Sequence, residues 1–123
     1  MKNKPVPERM INMEGKAGIN VGLNNPMEVF KKEAPEVAEA FDGLITQLSS
    51  TKGLDSKTKQ LIYIAMKASQ GDTGAVIAHT SMAKQAGATR EELKDAVLMT
   101  LTVSGIKGVV TCLPAALNTY DSI

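Results

Sequence analysis

The stretch from Gly71 to Leu93 constrains the fold more than any other part of the chain. Gly71 and Gly87 each follow an apolar pattern of helical period. Glycine takes the left-handed backbone in which helices commonly stop, so each marks the end of a helix. Between them, Asp72–Ala86 reads as one helix carrying the only histidine, His79. Beyond Gly87, Thr89-Arg90-Glu91-Glu92 has the form of a capping box. The Thr89 hydroxyl can accept from the amide of Glu92, and the Glu92 carboxylate can reach back to the amide of Thr89. A chain punctuated in this way is a succession of short helices, and no run of strand period competes with that reading.

The flanking segments extend the pattern. Asn24 or Asn25 caps a short helix with Pro26 in its first turn, running to about Lys32. Pro35 opens a second, in which Val37, Ala40, Phe41, Leu44, Ile45 and Leu48 recur at intervals of three and four before Ser49–Gly53 ends it. Asp55 caps a third, with Leu61, Ile62, Ile64, Ala65 and Ala68 on a broad apolar face. After the capping box, Leu93, Ala96, Val97, Thr100 and Leu101 fall on one side of a fifth helix, which Ser104-Gly105 interrupts. A final segment covers Lys107–Tyr120, and Pro114 either kinks it or marks its start. The expected architecture is an all-α bundle of about six helices over 26–123. An extended or partly disordered arm, 1–25, precedes it, with Pro5, Pro7, Gly15, Gly18 and Gly22 as its breakers.

At 123 residues the chain has the size of one small domain. With no Trp, two Tyr and two Phe, its core has to be made from Ala, Leu, Val, Ile and Met. Small side chains let helices approach closely but bury little per helix. The subunits are therefore expected to complete their burial by self-association. A net charge of +1 gives no electrostatic reason to expect a nucleic acid or an anionic membrane as partner. The uncharged runs 96–106 and 108–120 are too short to cross a bilayer. A single cysteine, Cys112, excludes an internal disulfide. No apolar leader segment is visible, so the cytoplasm is the expected location.

His79 is the first candidate for chemistry. It shares a helix face with Asp72, Ala75, Met82 and Ala86, where it can serve as a base, proton donor or ligand anchor. It can equally be a partly buried imidazole bonded to a nearby carbonyl. Asp72 either orients that ring or caps its own helix. Cys112 lies in an apolar run without a neighbouring cation, the setting of a buried, inert thiol. Glu91 and Glu92 belong to a helix start, and the methionines read as core filler. One histidine with scattered carboxylates makes no metal-ligand set, and no cofactor is expected.

Three stretches taken together carry a resemblance: Leu54-Asp55-Ser56-Lys57-Thr58-Lys59-Gln60-Leu61-Ile62, then His79, then Gln85-Ala86-Gly87-Ala88-Thr89-Arg90-Glu91-Glu92-Leu93. Over about residues 27–120 the chain resembles the carboxymuconolactone decarboxylase family, which includes the alkylhydroperoxidase D-type proteins. The resemblance implies an all-α subunit assembled as a trimer, hexamer or related ring. In the peroxidase-like branch it also implies a relay of Cys-x-x-Cys-x-x-x-His with a glutamate one helix earlier. There one thiolate attacks the peroxide, the second resolves the sulfenic acid, and Glu and His move protons.

Carried over by position, the family histidine falls on His79, the two cysteine positions on Asp72 and Ala75, and the glutamate on Gln60. Aspartate and alanine cannot cycle through a disulfide, and glutamine does not accept a proton at neutral pH. The Gly-Gly-x-Pro turn frequent in the family is replaced by Ser104-Gly105-Ile106-Lys107. Three functions follow as expectations. The first is acid–base chemistry of decarboxylase or lactone type on a small carboxylic acid, with His79 as base and Gln60 and Asp72 lining the pocket. The second is a non-catalytic binding or assembly role. The third is a thiol peroxidase or oxidoreductase activity, which would have to run through Cys112.

Overall fold

The computed structural model describes residues 25–123. The arm expected at the N-terminus lies outside the described residues, apart from Asn25. Among the described residues every regular element is a helix, as an all-α fold requires. They fall into two compact units, one ending at Ser50 and the other spanning Thr51–Ile123.

The first unit contains α1 (Pro26–Glu33) and α2 (Pro35–Ser50). The Asn25 side chain accepts from the Met27 amide at 3.0 Å, and Pro26 occupies the first turn, where its missing N–H costs nothing. The helix breaks at Ala34, whose φ of −143° lies outside the helical region, because the ring of Pro35 crowds a helical residue before it. Phe30 and Phe41 meet edge to face at 5.9 Å between centroids. The expected apolar stripe of α2 is present, but Val37, Phe41, Leu44, Ile45 and Leu48 are between 40% and 61% exposed.

The second unit is built from α3 (Ser56–Ser69), α4 (Thr73–Gln85), α5 (Arg90–Leu98), the single turn α6 (Leu101–Ser104) and α7 (Lys107–Ser122). Local chemistry sets its boundaries. The Asp55 carboxylate accepts from the Thr58 amide at 2.8 Å and starts α3. Thr89 and Glu92 exchange both capping-box hydrogen bonds at the start of α5. Both glycine stops close in the same way. At Gly71 (φ 75°) the Gly71 amide donates to Ala68 O and the Asp72 amide to Lys67 O. At Gly87 (φ 99°) the Gly87 amide donates to Lys84 O and the Ala88 amide to Ala83 O. This paired pattern satisfies carbonyls that the helix end leaves open, and it needs the left-handed residue between them. Ala83 and Ala88, brought together by the second stop, are both buried in the core.

The core consists of Ile64, Ala68, Val76, Ala83, Ala88, Leu93, Val97, Cys112 and Ala116, with Leu61, Leu113, Leu117 and Tyr120 packed against it. Helix α3 packs on α4, α5 and α7, and α7 also covers α4 and α5. Gly108 marks a close approach of α7 to the end of α3. A Cβ there would stand 2.7 Å from Ala68 O and 2.8 Å from Thr100 Oγ1. Two buried hydroxyls bond within their own helices or turns, Thr80 to Val76 O and Thr100 to Val97 O, each at 2.7 Å, so neither is left unsatisfied. Pro114 lies inside α7 on its exposed side, where water can serve the carbonyl that a proline leaves without a partner.

The far end of α7 is held by polar contacts. Lys84 Nζ donates to Tyr120 O at 3.0 Å and Ile123 O at 2.6 Å, and it lies 4.4 Å from the centre of the Tyr120 ring. The Tyr120 hydroxyl donates to Ala88 O at 2.8 Å. Arg90 grips Asp121 with two nitrogens at 2.8 and 3.1 Å, an exposed pair that adds little by itself.

Several expected core positions differ. Ile62 is 41% exposed and Leu101 44% exposed. Of the methionines read as core filler, Met66, Met82 and Met99 are 56%, 44% and 63% exposed, because they stand on helix faces turned away from the core. Leu101 lies beyond the end of α5 at Leu98 and opens the separate turn α6. Among the described residues no helix is long and apolar enough to cross a membrane.

Gly108→Ala is expected to destabilise the protein by about 1–3 kcal/mol, because a backbone carbonyl blocks the added methyl. Gly53→Ala, with nothing within 4 Å of its Cβ position, should stay within about 0.5 kcal/mol of the parent. Urea denaturation of the two variants checks both.

Candidate functional site

Helix α3 divides its residues between two directions. Ile64 and Ala68 point into the core, while Gln60, Tyr63 and Lys67 are half-buried along an adjoining face. Spacings of three and seven bring those three side chains into one row. Helix α4 divides likewise, with Val76, Thr80 and Ala83 buried and Ala75 and His79 beside them. The tight stop at Gly71 turns α4 back along α3, so the row on α3 faces His79.

The contact between the rows is specific. His79 Nδ1 lies 2.9 Å from Gln60 Oε1. An amide oxygen can only accept, so Nδ1 carries the proton and donates it. That assigns the tautomer and leaves the Nε2 lone pair as the basic position of the ring. The ring also stacks on Tyr63, with centroids 3.9 Å apart and planes inclined by 28°. Partial burial lowers the basicity of His79 below that of an ordinary histidine, and the nearby Lys67 ammonium lowers it further. Both effects favour the neutral imidazole, whose lone pair in this tautomer is on Nε2.

Asp72 has a different place. Its Oδ1 accepts from the Ala75 amide at 3.1 Å as the N-cap of α4. Its Oδ2 lies 3.4 Å from Lys67 Nζ. The amide bond and then the lysine hold its carboxyl below the usual range. Lys67 Nζ in turn stands 5.9 Å from the centre of the Tyr63 ring. The structure therefore brings Gln60 directly to His79, and it connects Asp72 to the same cluster only through Lys67 and Tyr63.

Tyr63 and Lys67 are the participants that sequence reasoning missed. Both follow from Gln60 by helical spacing once α3 and α4 are taken as an antiparallel pair. Cys112 is fully buried, with its sulfur 3.7 Å from Thr73 Oγ1. Ala75, at the other family thiol position, offers only a methyl. Among the described residues no three His, Cys, Asp or Glu side chains converge as a metal site would need.

Comparison with known proteins gives a consistent relationship. The profile of the Carboxymuconolactone decarboxylase family matches residues 35–118. An uncharacterised protein of Methanocaldococcus jannaschii is 34% identical over 92 residues, covering 75% of this chain and 86% of that protein. An uncharacterised protein of Cupriavidus necator is 26% identical over 101 residues, covering 82% of this chain and 88% of that one. Among solved structures, a provisionally assigned carboxymuconolactone decarboxylase from Burkholderia xenovorans LB400 superposes with a TM-score of 0.75. That match has 20% identity and covers 97% of this chain and 87% of the other.

The single histidine makes the electrostatics directly measurable. In an NMR titration His79 should lose its proton below the ordinary value of about 6.5. Because its folded pKa lies below its unfolded one, the unfolded chain binds more protons in the window between the two. Stability from this group is present above about pH 6.5 and falls as pH drops through that window. Gln60→Glu should move the titration upward, since a carboxylate facing Nδ1–H favours the imidazolium. An unchanged midpoint in that variant would contradict the Gln60–His79 contact.

Proposed function

The chain belongs to the carboxymuconolactone decarboxylase family, and we propose that it performs acid–base chemistry on a small carboxylic acid or lactone, with His79 as the proton-transferring residue. The observation that carries this reading is the hydrogen bond from His79 Nδ1–H to Gln60 Oε1 at 2.9 Å. It selects one tautomer of the neutral imidazole, with the lone pair on Nε2. Stacking on Tyr63 restrains the ring plane.

Such a nitrogen can remove a proton from carbon next to a lactone or ketone carbonyl. The electron pair of that C–H bond passes into the carbonyl as an enolate, and the imidazolium returns the proton to another carbon. In a decarboxylation the C–C bond to the carboxylate breaks, its pair enters the conjugated carbonyl, and CO₂ leaves. Nε2, having first taken the proton of the substrate's acid group, returns it to the carbon that CO₂ has left. Gln60 takes no proton in either case and only orients the ring. Dithiol peroxidase chemistry is not part of this proposal. The chain has one cysteine, it is buried, and the relay positions hold Asp72, Ala75 and Gln60.

We further propose that the chain works as a homo-oligomer. The exposed stripe Val37, Phe41, Leu44, Ile45 and Leu48 on α2 is a helix face of the kind that a second subunit covers. Size-exclusion chromatography with light scattering at micromolar concentration should give a multimer, and Leu44→Lys with Leu48→Lys should shift it toward monomer. A parent protein that runs as a monomer overturns this part of the reading.

For the chemistry, wild type and His79→Gln are compared across small lactones and unsaturated carboxylic acids. His79→Gln should lose about 10²–10⁴-fold in turnover, the usual contribution of a general acid–base residue, with its helical circular dichroism unchanged. Equal turnover in both proteins overturns the assignment, as does hydroperoxide turnover with a dithiol reductant that Cys112→Ser abolishes.

A further inference from the structure

We infer that Lys67 is the carboxylate anchor of this site: its ammonium, poised over Tyr63 and loosely shared with Asp72, binds the acid group of a small ligand that reaches from there to His79. The placement of the ligand's reacting carbon beside His79 rests on the acid–base reading above; the anion site itself does not.

The geometry of Lys67 is the starting point. It lies on the α3 face that carries Gln60 and Tyr63, two turns along from the residue that orients His79. Its Nζ contacts the Tyr63 ring at 5.9 Å from the centroid, and that ring stacks on the imidazole. An anion on Nζ is therefore one aromatic ring away from His79. A lysine near the end of a helix is also favoured by the helix dipole, but that preference does not require the side chain to lie over Tyr63.

The existing partner leaves the ammonium open. Asp72 commits Oδ1 to the Ala75 amide at 3.1 Å. Its Oδ2 stands 3.4 Å from Nζ, beyond the usual range of a direct N–H···O bond. An ammonium has three donors, so a ligand carboxylate can bind without displacing Asp72.

A second cation stands at this corner. The Lys107 side chain from α7 lies across Gly71, its Cε 2.8 Å and its Nζ 3.6 Å from the position a Cβ would take there. Two lysines thus approach adjacent residues, Lys107 at Gly71 and Lys67 at Asp72. Several other charged groups on the packed helices have partners of their own. Glu92 of α5 pairs with Lys57 at 3.1 Å, Lys84 of α4 binds the end of α7, and Lys59 of α3 donates to Thr51 O at 2.7 Å. A small anion meets two ammonium groups beside the Tyr63 ring and the His79 imidazole.

His79 reports on this corner by NMR, with benzoate as the probe and uncharged, isosteric benzamide as its control. Benzoate should shift the imidazole resonances and raise the His79 titration midpoint, because it screens the Lys67 charge; benzamide should do neither. Lys67→Met should weaken benzoate by about tenfold, the usual weight of a charge-assisted hydrogen bond, while Lys67→Arg stays within about threefold of wild type. Benzamide acting like benzoate, or Lys67→Met binding benzoate as wild type does, overturns the assignment. The benzamide contrast is read on wild type, so it decides the matter even where Lys67→Met does not fold. The two proposals fail separately. If His79→Gln retains turnover while benzoate still depends on Lys67, the anchor stands and the acid–base reading falls. If His79→Gln abolishes turnover while Lys67→Met binds benzoate normally, the anchor falls.

Discussion

The contact of Gly108 with Ala68 O and Thr100 Oγ1 is the constraint on which the second unit depends. A chain so poor in aromatic residues cannot fill wide spaces between helices, so its helices must come close, and closeness is limited by what stands at the crossing. Here α7 lies with no side chain between itself and the carbonyl that ends α3. That approach buries Cys112 and Ala116 of α7 in the core with Ile64 and Ala68. It also carries Lys107, the residue preceding Gly108, across Gly71. One missing methyl group therefore sets both the depth of the core and the charge at the corner of the candidate site.

The second dependence is on the stop at Gly71. The left-handed residue lets two consecutive amides return to the end of α3, and Asp72 then starts α4 after the shortest of turns. Two antiparallel helices so closely joined have little freedom of register, which is why Gln60 meets His79 at hydrogen-bond distance. Asp72 serves this geometry before any chemistry: one oxygen starts the helix that carries His79, and the other steers Lys67.

What could be read from the sequence was whatever depends on a few neighbouring residues. The Asp55 cap, the Thr89–Glu92 box and the glycine stops are short-range exchanges of amides and oxygens, and each occurs where its residue types stand. The Gln60–His79 contact was reachable only through the family pattern, because it spans two helices. Tyr63 and Lys67 escaped notice for a physical reason. A tyrosine at helical spacing reads as core, and the lysine after it reads as a solvated helix end, until the partner helix shows which face both occupy. Ile62, Leu101 and the α2 stripe escaped for the converse reason: their apolar character was plain, but exposure depends on what else covers a face. Membership of the carboxymuconolactone decarboxylase family likewise indicates a scaffold, whereas the side chains at four positions decide which chemistry it can support.

An amide facing the inner nitrogen of His79 also alters the traffic of protons. A glutamate there would connect the ring to a second acid and let charge pass onward; glutamine closes that exit. In the proposed acid–base chemistry the imidazole would exchange its mobile hydrogen through Nε2. A hydrogen taken from a bound molecule would wait where the molecule still sits, shielded on the inner side. In isotopic terms, such a ring favours return of the same atom over exchange with solvent. The substitution that ends a relay thus makes the site a short loop.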